Sequence, residues 1–360
     1  MRAVLVWKSG QERTEIRSDV STRPLGPGDV RIRIKAAGVC HSDLSAMAGI
    51  LPNKKPFVLG HEGAGVLAEV GPGVPAHLAV GGRVIVCWVP PCGACAACVA
   101  GEANLCAELF GPTALTANFT AGEESVYGMC GTGTFADEAV LPWQCAVPIP
   151  DDVPFDIAAL IGCGVTTGVG AVLNTARVVP GSSVAVIGCG GVGIAAIQGA
   201  RIAGAAEIAA IDPSAEKRAL VGRFGATHTA DPDAAAKLAG DVTGGRGFDY
   251  VVECVGRSET VRQAYKLARR GGAVVVVGAG NRSDQVTFSM AELFLDNKRI
   301  LTSFYGGGDP RTDFARLIRL WRAGRLDLEG MVSARMPVER VDEALDLMRS
   351  GAAIRTVLEL

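Results

Sequence analysis

The sequence of 360 residues lacks the features of several large classes of protein. Its net charge is only −2, so the basic face of a typical nucleic-acid-binding protein is not expected. No G-x-y period is present, which excludes a collagen helix. The longest uncharged stretch, residues 178–200, contains a proline and several glycines and is not the continuous apolar run that spans a membrane. We therefore expect neither a nucleic acid nor a membrane as a partner.

The first residues also lack the apolar segment of a secretory signal. Only five apolar residues lie between Arg2 and Lys8, which is too few for the core of a signal peptide. A reducing cytoplasm is therefore the expected location. In that compartment, the odd number of 11 cysteines favours metal ligands and free thiols over a framework of disulfides.

The composition is that of a folded protein rich in tight turns. Hydrophobic residues make up 49% of the chain and charged residues 20%, which excludes a disordered protein. At about 150 residues per domain, the length corresponds to two or three domains. The 47 glycines follow no repeat, and they indicate tight turns and places where the backbone comes close to a ligand.

The two halves of the sequence have different periodicities. Short alternating runs broken by glycine and proline, such as 30–39 and 82–89, predict strands and turns over about the first 150 residues. From about residue 166, continuous apolar strand patterns alternate with helical ones, which predicts an α/β fold with a parallel sheet covered on both faces. Two amphipathic helices and a terminal strand end the chain, and we expect them to return to the first domain. The predicted strands of the parallel sheet are 182–188, 206–212, 248–256, 272–280 and 299–307.

A glycine-rich motif, GCGGVG at 188–193, follows the first of these strands and opens a helix. In a dinucleotide-binding loop, Gly188 would allow the tight turn, Gly190 would let the backbone approach a pyrophosphate, and Gly193 would let the helix pack against the strand. The free N–H groups at the start of the helix would then face the phosphates. The alternative is an ordinary glycine-rich turn. The predicted cofactor-binding residues of the motif are Gly188, Gly190, Gly191, Val192 and Gly193.

Asp212 ends the next predicted strand, 24 residues after Gly188. A carboxylate at this position accepts hydrogen bonds from the ribose hydroxyls of the adenosine and repels a 2′-phosphate. The residue therefore predicts NAD rather than NADP as the cofactor. The alternative role is the N-cap of a following helix, before Pro213, and it is compatible with ribose binding.

Four cysteines lie close together in the sequence, at Cys92, Cys95, Cys98 and Cys106. Four thiolates at this C-x2-C-x2-C-x7-C spacing can surround one tetrahedral Zn²⁺, whereas disulfides between such close neighbours would be strained. An iron–sulfur motif is disfavoured because the last gap is longer than usual and Ala107 follows Cys106. The pattern predicts a structural zinc site whose four positions are all taken by protein.

A second, open metal site is predicted from residues that are far apart in the sequence. Cys40 in GVCHSDLS and His61 in GHEGAG are two candidate ligands, and Cys163 in GCGVTTG is the third. Two cysteines and one histidine leave a fourth position on zinc for water or substrate. Taken singly, each residue is more often part of a protein core, so the prediction depends on their combination.

These motifs together resemble one known family. GVCHSD, GHEGAG, the four-cysteine segment, GCGVTTG, GCGGVG, Asp212 and the terminal IRTVL stand in the order typical of the zinc-dependent medium-chain alcohol dehydrogenases, of the medium-chain dehydrogenase/reductase superfamily. The resemblance extends throughout the chain. It implies a mostly-β, GroES-like catalytic domain at 1–163, a Rossmann NAD-binding domain with a doubly wound parallel sheet at 164–307, and a C-terminal return to the catalytic domain at 308–360.

The resemblance assigns a catalytic zinc ion to Cys40, His61 and Cys163. Glu62 corresponds to a carboxylate that lies near the zinc and ligates it transiently. Asp43 corresponds to the carboxylate that accepts the second ring N–H of the ligating histidine and so fixes its tautomer. With the four-cysteine site, the resemblance implies two Zn²⁺ per chain.

Two further residues correspond to parts of the catalytic machinery. Ser42 corresponds to the hydroxyl that takes the proton from the bound alcohol, and Trp88 to a wall of the substrate pocket, where a large ring would restrict the inner part. The family often has a histidine at position 45 as the outer end of the proton relay. This chain has Ser45 there, so proton exit would use water or another group. Further cofactor contacts are implied for His41, Thr167, Lys217, Val277, Gly278 and Arg355.

The implied function is the interconversion of alcohols and aldehydes or ketones, with hydride transfer to and from NAD. One alternative is a formaldehyde dehydrogenase that acts on a glutathione or mycothiol adduct, which the intact four-cysteine segment and the long loop after it permit. Another is a non-catalytic, NAD-binding structural relative, which is disfavoured because a structural role needs no open metal position. The long segment between Cys106 and Cys163 resembles that of dimeric members, so we expect a homodimer formed by pairing of the edge strands at 299–307.

Overall fold

The computed structural model describes all 360 residues, and these form two compact units. Unit 1 consists of residues 1–163, 309–321 and 328–360. Unit 2 consists of residues 164–308 and 322–327. Most of the C-terminal segment therefore belongs to the same unit as the N-terminal half of the chain.

The strands are β1 (Ala3–Val6), β2 (Glu15–Arg17), β3 (Val20–Thr22), β4 (Asp29–Val39), β5 (Phe57–Val58), β6 (Glu62–Val70), β7 (Arg83–Val86), β8 (Phe119–Ala121), β9 (Glu124–Gly128), β10 (Glu138–Pro142), β11 (Ala146–Pro148), β12 (Ser183–Ile187), β13 (Glu207–Ile211), β14 (His228–Ala230), β15 (Phe248–Glu253), β16 (Ala268–Val276), β17 (Arg299–Thr302), β18 (Val332–Pro337) and β19 (Arg355–Glu359). The helices are α1 (His41–Ala48), α2 (Ala96–Val99), α3 (Ala107–Leu115), α4 (Phe155–Leu160), α5 (Thr166–Gly170), α6 (Gly191–Ala203), α7 (Ala215–Leu220), α8 (Ala235–Thr243), α9 (Ser258–Leu267), α10 (Met290–Asp296), α11 (Pro310–Arg322) and α12 (Val341–Ser350).

Unit 1 is built around two sheets. One has the strand order β2-β1-β5-β9-β8-β3, and the other has the order β11-β7-β6-β4-β19-β18, with β10 also paired to β4. Most pairs are antiparallel, and the exceptions are β5 with β9 and β18 with β19. The C-terminal strand β19 pairs with β4, so the end of the chain joins a sheet formed by its first half.

The central strand of the second sheet, β4, changes its pattern of burial along its length. Val30, Ile32 and Ile34 point into the core of unit 1, whereas Arg33 and Lys35 between and beyond them are exposed. From residue 36 to residue 39 every position is buried, so this end of the strand is covered on both faces. The buried end leads directly into the first group of candidate site residues.

Unit 2 contains a six-stranded sheet in the order β14-β13-β12-β15-β16-β17, and every pair in it is parallel. From β12 the chain first adds β13 and β14 on one side of the sheet. It then adds β15, β16 and β17 on the other side of β12. Ligands of such doubly wound sheets bind outside the carboxyl ends of the strands at this reversal point. The predicted doubly wound parallel sheet is confirmed.

The sequence patterns do not predict two elements of the structure. Strand β14 has only three residues, and a run this short leaves no periodic signal. The segment from Phe155 to Ala176 is one helix of 22 residues, in which α4 and α5 alternate with wider π-type turns at Ile161–Val165 and Ala171–Ala176. The glycines in this segment lower its helix propensity. Packing nevertheless requires glycine at position 168, because a Cβ added to Gly168 would overlap with the backbone of Val192. Close packing therefore overrides local propensity here.

The same 22-residue helix is the one segment long and apolar enough to cross a membrane by length and composition. However, 83% of its most apolar stretch is buried inside the protein. Burial against the rest of the protein accounts for the apolar composition of this helix.

Candidate active site

Pairing of β4 with β6 and β19 brings three distant parts of unit 1 to one point. In the β4–β6 register Gly38 lies opposite Glu62, so Cys40, just after β4, comes next to His61, just before β6. Arg355, the first residue of β19, reaches the same point because β19 pairs with the end of β4. The carboxylate of Glu62 lies so close over Gly38 that an added Cβ would overlap with it, which restricts this position to glycine.

Cys163 joins this group from the π-type turn of the 22-residue helix, and turns of this kind are frequent at functional sites. The ligand atoms of Cys40, His61, Glu62 and Cys163 all lie within 4.8 Å of one another. All four residues are buried. The structure thus brings together the three predicted zinc ligands and the neighbouring carboxylate.

The imidazole of His61 is oriented by a buried carboxylate. Its Nδ1 lies 3.3 Å from Oδ1 of Asp43, whose other oxygen accepts the backbone N–H of Cys40 at 2.7 Å. The second ring nitrogen, Nε2, is buried and has no hydrogen-bond partner in the protein. A buried polar atom without a partner is unfavourable unless something else binds it. Two sulfurs and this nitrogen form a donor set that suits Zn²⁺.

The ionisation of the ligand groups is strongly coupled. The pKa of Cys40 is lowered well below its ordinary value, chiefly by its hydrogen bond with Cys163, and the same contact raises the pKa of Cys163 well above it. Burial alone would lower the pKa of His61, but the charges of Cys163 and Asp43 beside it raise the pKa overall. A metal ion binds cysteine as thiolate, so a divalent cation that binds both sulfurs would release any proton that they hold.

Glu62 forms a fully buried ion pair with Arg355. Both oxygens of the carboxylate accept hydrogen bonds from Nη2 of the guanidinium, and neither residue is more than 2% exposed. Burial raises the pKa of Glu62 to about 7, against the opposing charge of Arg355. The guanidinium of Arg355 is enclosed and directed at Glu62, because β19 starts beside the metal-binding group. The cofactor contact that the resemblance implies for Arg355 stays a prediction.

Helix α1, which starts directly after Cys40, carries the other predicted residues of this region. The hydroxyl oxygen of Ser42 lies 3.7 Å from the sulfur of Cys40. Ser42 is only partly buried, and His41 before it is exposed. A hydroxyl in this position touches a ligand sulfur on one side and approaches solvent on the other.

Trp88 packs against the same group shortly after the end of β7. Its ring centroid lies 6.0 Å from that of His61 with an interplanar angle of 86°, and 5.9 Å from that of Phe110 with an angle of 66°. These edge-to-face arrangements are favourable for aromatic pairs. No sequence pattern identifies Phe110, because it reaches the site only through the packing of α3 against Trp88.

The four cysteines of the second predicted zinc site form a separate cluster in unit 1. The sulfurs of Cys92 and Cys98, and those of Cys95 and Cys106, are each 3.9 Å apart, and all four lie within 4.8 Å of one another. Tetrahedral zinc with Zn–S bonds of about 2.3 Å requires sulfurs about 3.8 Å apart. The cluster therefore has the dimensions of a closed Cys₄ site.

Backbone groups support a thiolate in this cluster. The N–H groups of Ala94 and Cys95 donate to the sulfur of Cys92 at 3.4 and 3.2 Å, and they lower the pKa of Cys92 to about 6. Burial raises the pKa of Cys98 to about 12. The turn after Cys92 is thus already folded to stabilise a negatively charged sulfur, which is the form that binds a metal ion.

In unit 2, the glycine-rich loop joins β12 to α6 at the reversal point of the sheet. Gly188 has a φ of +90°, which favours glycine, and a Cβ added to Gly193 would overlap with the carbonyl of Gly188. The Cβ position of Gly190 has no atom within 4 Å, and α6 begins at Gly191 with Val192 in its first turn. A pyrophosphate-binding loop requires this tight turn, close helix packing and open backbone.

Asp212 follows β13 directly beside this loop. Its carboxylate accepts the N–H groups of Cys189 at 2.7 Å and Ser214 at 2.8 Å, so its orientation is fixed. The N-cap of α7 is Ser214, whose hydroxyl accepts the N–H of Lys217. The alternative N-cap role for Asp212 is therefore wrong, because the N-cap residue lies two positions later in the sequence.

The remaining predicted cofactor residues also lie in unit 2. Val277 and Gly278 follow β16, and their N–H groups donate to the carbonyl of Glu253 at 2.8 and 3.1 Å. Thr167 lies in α5 and Lys217 in α7, and both are partly buried. Val277 and Gly278 share the carboxyl edge of the sheet with the glycine-rich loop, since both segments follow parallel strands.

Comparison with known proteins finds two matching family models. An alcohol dehydrogenase GroES-like domain matches residues 26–151, and a zinc-binding dehydrogenase domain matches residues 191–323. Alcohol dehydrogenase B of Mycobacterium tuberculosis is 39% identical, over 92% of this chain and 91% of that protein. The chain belongs to the zinc-dependent medium-chain alcohol dehydrogenase family.

Two further comparisons extend the similarity over the whole chain. Alcohol dehydrogenase class-3 of Myxine glutinosa is 34% identical, over 100% of this chain and 97% of that protein. The crystal structure of benzyl alcohol dehydrogenase from Acinetobacter calcoaceticus superimposes with a TM-score of 0.91 at 28% identity, over 100% of this chain and 99% of that one. The predicted family and the predicted fold class, a GroES-like domain with a Rossmann sheet, are confirmed.

The two cysteine-containing clusters share no residue, so they should lose metal independently. His61→Ala and Cys95→Ser should each lower the bound zinc by about one ion per chain, because each removes a ligand from one four-coordinate site only. Elemental analysis of the purified, dialysed chain measures this. His77→Ala is the control, since His77 is exposed and belongs to neither cluster. A His61→Ala variant with the zinc content of the wild type would rule out the open site.

Proposed function

We propose that the chain is an NAD-dependent alcohol dehydrogenase with one catalytic and one structural zinc ion. It is an oxidoreductase with zinc-dependent alcohol dehydrogenase activity, a nicotinamide cofactor and small-molecule substrates. The observation that carries the proposal of a catalytic site is the buried group of Cys40, His61 and Cys163, in which Nε2 of His61 has no partner in the protein. Alcohols and the aldehydes or ketones derived from them are the proposed substrates.

We assign catalysis to residues 1–163 and 308–360 and cofactor binding to residues 164–307. All members of both metal-binding clusters belong to unit 1, whereas the glycine-rich loop and Asp212 belong to unit 2. This division supports one domain that acts on the oxygen of the substrate and another that holds the nicotinamide dinucleotide.

The residues of the open site have distinct proposed roles. When bound, the metal ion lowers the pKa of an alcohol on it, and the nicotinamide accepts hydride from the alcohol carbon. Asp43 holds the imidazole of His61 so that Nε2 is the ligand atom. Ser42 receives the proton of the alcohol and passes it toward solvent, since its hydroxyl lies between the sulfur of Cys40 and the partly exposed face of α1.

Glu62 and Arg355 are proposed to adjust the same site. Glu62 lies within ligand distance of the group, and Arg355 holds its carboxylate through both oxygens. With a metal ion bound, the carboxylate would serve as a transient ligand that the guanidinium keeps close to it. Arg355 is proposed as a positioning residue for Glu62, in addition to the cofactor contact predicted for it.

The aromatic rings beside His61 suggest how the substrate is bound. Trp88 and the half-buried Phe110 present apolar surface next to the metal-binding group. Such surface suits an apolar substituent on the alcohol carbon. The formaldehyde dehydrogenase that uses a thiol adduct is retained as a second candidate, because an alcohol dehydrogenase class-3 is 34% identical over the whole chain.

We further propose a location in the cytoplasm. All 11 cysteines are free thiols in the structure, and six of them belong to the two metal-binding clusters. A reducing compartment keeps such thiols available to metal ions.

A panel of alcohols with NAD tests the proposed activity. The wild type should produce NADH with some of them, and Cys40→Ala should lower turnover by roughly a thousandfold or more while NADH binding is retained. NADH absorbance measures turnover, and NADH fluorescence measures binding. Cys145→Ala is the matched control, since Cys145 is equally buried but lies in neither cluster.

Three outcomes of the panel would contradict the proposal in different ways. Full turnover by Cys40→Ala would exclude the metal assignment. Formaldehyde oxidation that requires glutathione or mycothiol, with no activity on free alcohols, would favour the thiol-adduct enzyme. A wild type that binds NADH but oxidises nothing in the panel would favour a non-catalytic relative.

The fixed carboxylate of Asp212 generates a prediction about cofactor preference. Asp212→Gly should raise the ratio of kcat/KM with NADP to that with NAD by roughly tenfold or more, because it removes both ribose acceptors and the repulsion of a 2′-phosphate. Initial rates at varied cofactor concentration measure the ratio. Asp233→Gly, at an exposed aspartate of the same unit, should leave it unchanged. A wild type that uses both cofactors equally well would exclude the proposed selectivity.

We propose a homodimer in which the β17 strands of two copies pair. β17 is an edge strand, and apolar side chains around it are exposed, among them Met290 at 80%, Phe294 at 81% and Ile300 at 39%. Exposed edges and apolar patches of this kind mark interfaces. Light scattering should give the mass of two chains for the wild type and of one chain for Phe294→Glu combined with Ile300→Lys. A wild-type monomer or tetramer would disagree with this interface.

A further inference from the structure

Glu253 is a fully buried carboxylate at the reversal point of the parallel sheet. It is the last residue of β15 and lies opposite Ile187, the last residue of β12. Its Oε1 accepts three hydrogen bonds, from the N–H groups of Val255 at 2.7 Å and Gly256 at 2.9 Å and from the hydroxyl of Thr260 at 2.8 Å. Its Oε2 is also buried and has no hydrogen-bond partner in the protein.

The backbone of Glu253 binds the next loop along the sheet edge. Its carbonyl accepts the N–H groups of Val277 at 2.8 Å and Gly278 at 3.1 Å. A Cβ added to Gly278 would overlap with the backbone nitrogen of Gly256. The backbones of the turn after β15 and the turn after β16 are therefore in direct contact. A displacement of one turn would displace the other.

The turn after β15 also touches the glycine-rich loop. The side chain of Val255 would come within 2.8 Å of a Cβ on Gly188, and the N–H of Cys254 donates to the carbonyl of Ile187 at 2.9 Å. The turn 254–256 is thus in contact with the loops that follow β12 and β16. The side chain of Glu253 fixes this turn through the three hydrogen bonds that its Oε1 accepts.

Burial of a carboxylate is unfavourable, and an apolar side chain would fill the end of a buried strand at lower cost. The three donors on Oε1 show what the carboxylate does instead, which is to fix the shape of the turn. We propose that Glu253 is a positioning residue of the cofactor site, and that it holds the loops after β12, β15 and β16 in the conformation that binds a nicotinamide dinucleotide. This inference rests on the cofactor role proposed for these loops.

Fluorescence titration of the zinc-loaded chain with NADH tests the inference through binding rather than turnover. Glu253→Ala should raise the Kd for NADH by about tenfold or more, because all three bonds to the turn are lost. Glu253→Gln keeps an acceptor oxygen and should recover most of the affinity. Thr260→Val removes one donor and should raise the Kd about two- to threefold. With saturating cofactor, kcat should stay within a few-fold of the wild type in all three variants.

Asp249 provides the matched control at the opposite end of the same strand. Its carboxylate accepts the N–H and hydroxyl of Ser183 at 2.8 and 2.9 Å and a bond from Arg269 at 2.7 Å. Asp249→Ala therefore removes a similar number of bonds from β12 and β15, but away from the carboxyl edge. It should lower the thermal unfolding temperature as Glu253→Ala does and leave the Kd for NADH unchanged.

The outcomes separate this inference from the proposed function. If the wild type binds neither NADH nor NADPH, the cofactor role of the loops is wrong and the inference is wrong with it. If the wild type binds NADH and a folded Glu253→Ala has the same Kd, only the inference is overturned. Should Glu253→Ala fail to fold, a Kd for Thr260→Val equal to that of the wild type overturns it equally.

Discussion

The register between β4 and its two neighbours, β6 and β19, is the constraint on which the candidate active site depends. It places a thiol, an imidazole and a buried ion pair at one strand end, although the residues come from opposite ends of the chain. A slip of one residue would turn these side chains to the opposite face of the sheet. The absence of a side chain at Gly38 is part of the same constraint, because the carboxylate of Glu62 occupies that space.

The two metal-binding clusters of unit 1 are stabilised in different ways. The four-cysteine cluster is local, and backbone N–H groups of its own turn stabilise the thiolate of Cys92. The open site is assembled over long range, and its charges are balanced by buried side chains: Asp43 against His61, and Arg355 against Glu62. A local cluster suits a structural role, since it folds as a unit. A site built from several strands can present groups to a substrate from several sides.

Local sequence patterns predict those features of the structure whose residues are close together in the chain. They include the four-cysteine segment, the glycine-rich loop and the apolar strands of the parallel sheet, which the structure forms where the patterns predict them. The features that the patterns do not predict arise from contacts between distant residues. Phe110 reaches Trp88 through the return of α3, Arg355 reaches Glu62 through strand pairing, and Glu253 is identified only by its buried hydrogen bonds. The glycines within the 22-residue helix likewise reflect packing rather than helix propensity.

Anomalous diffraction at the zinc absorption edge, from crystals of the zinc-loaded chain, tests whether the open site binds zinc. We expect a zinc peak about 2.3 Å from the sulfurs of Cys40 and Cys163 and about 2.0–2.1 Å from Nε2 of His61, in addition to the peak among the four cysteines. A peak at the four-cysteine cluster alone, or a metal ion bound through Nδ1 of His61 with Asp43 displaced, would contradict it.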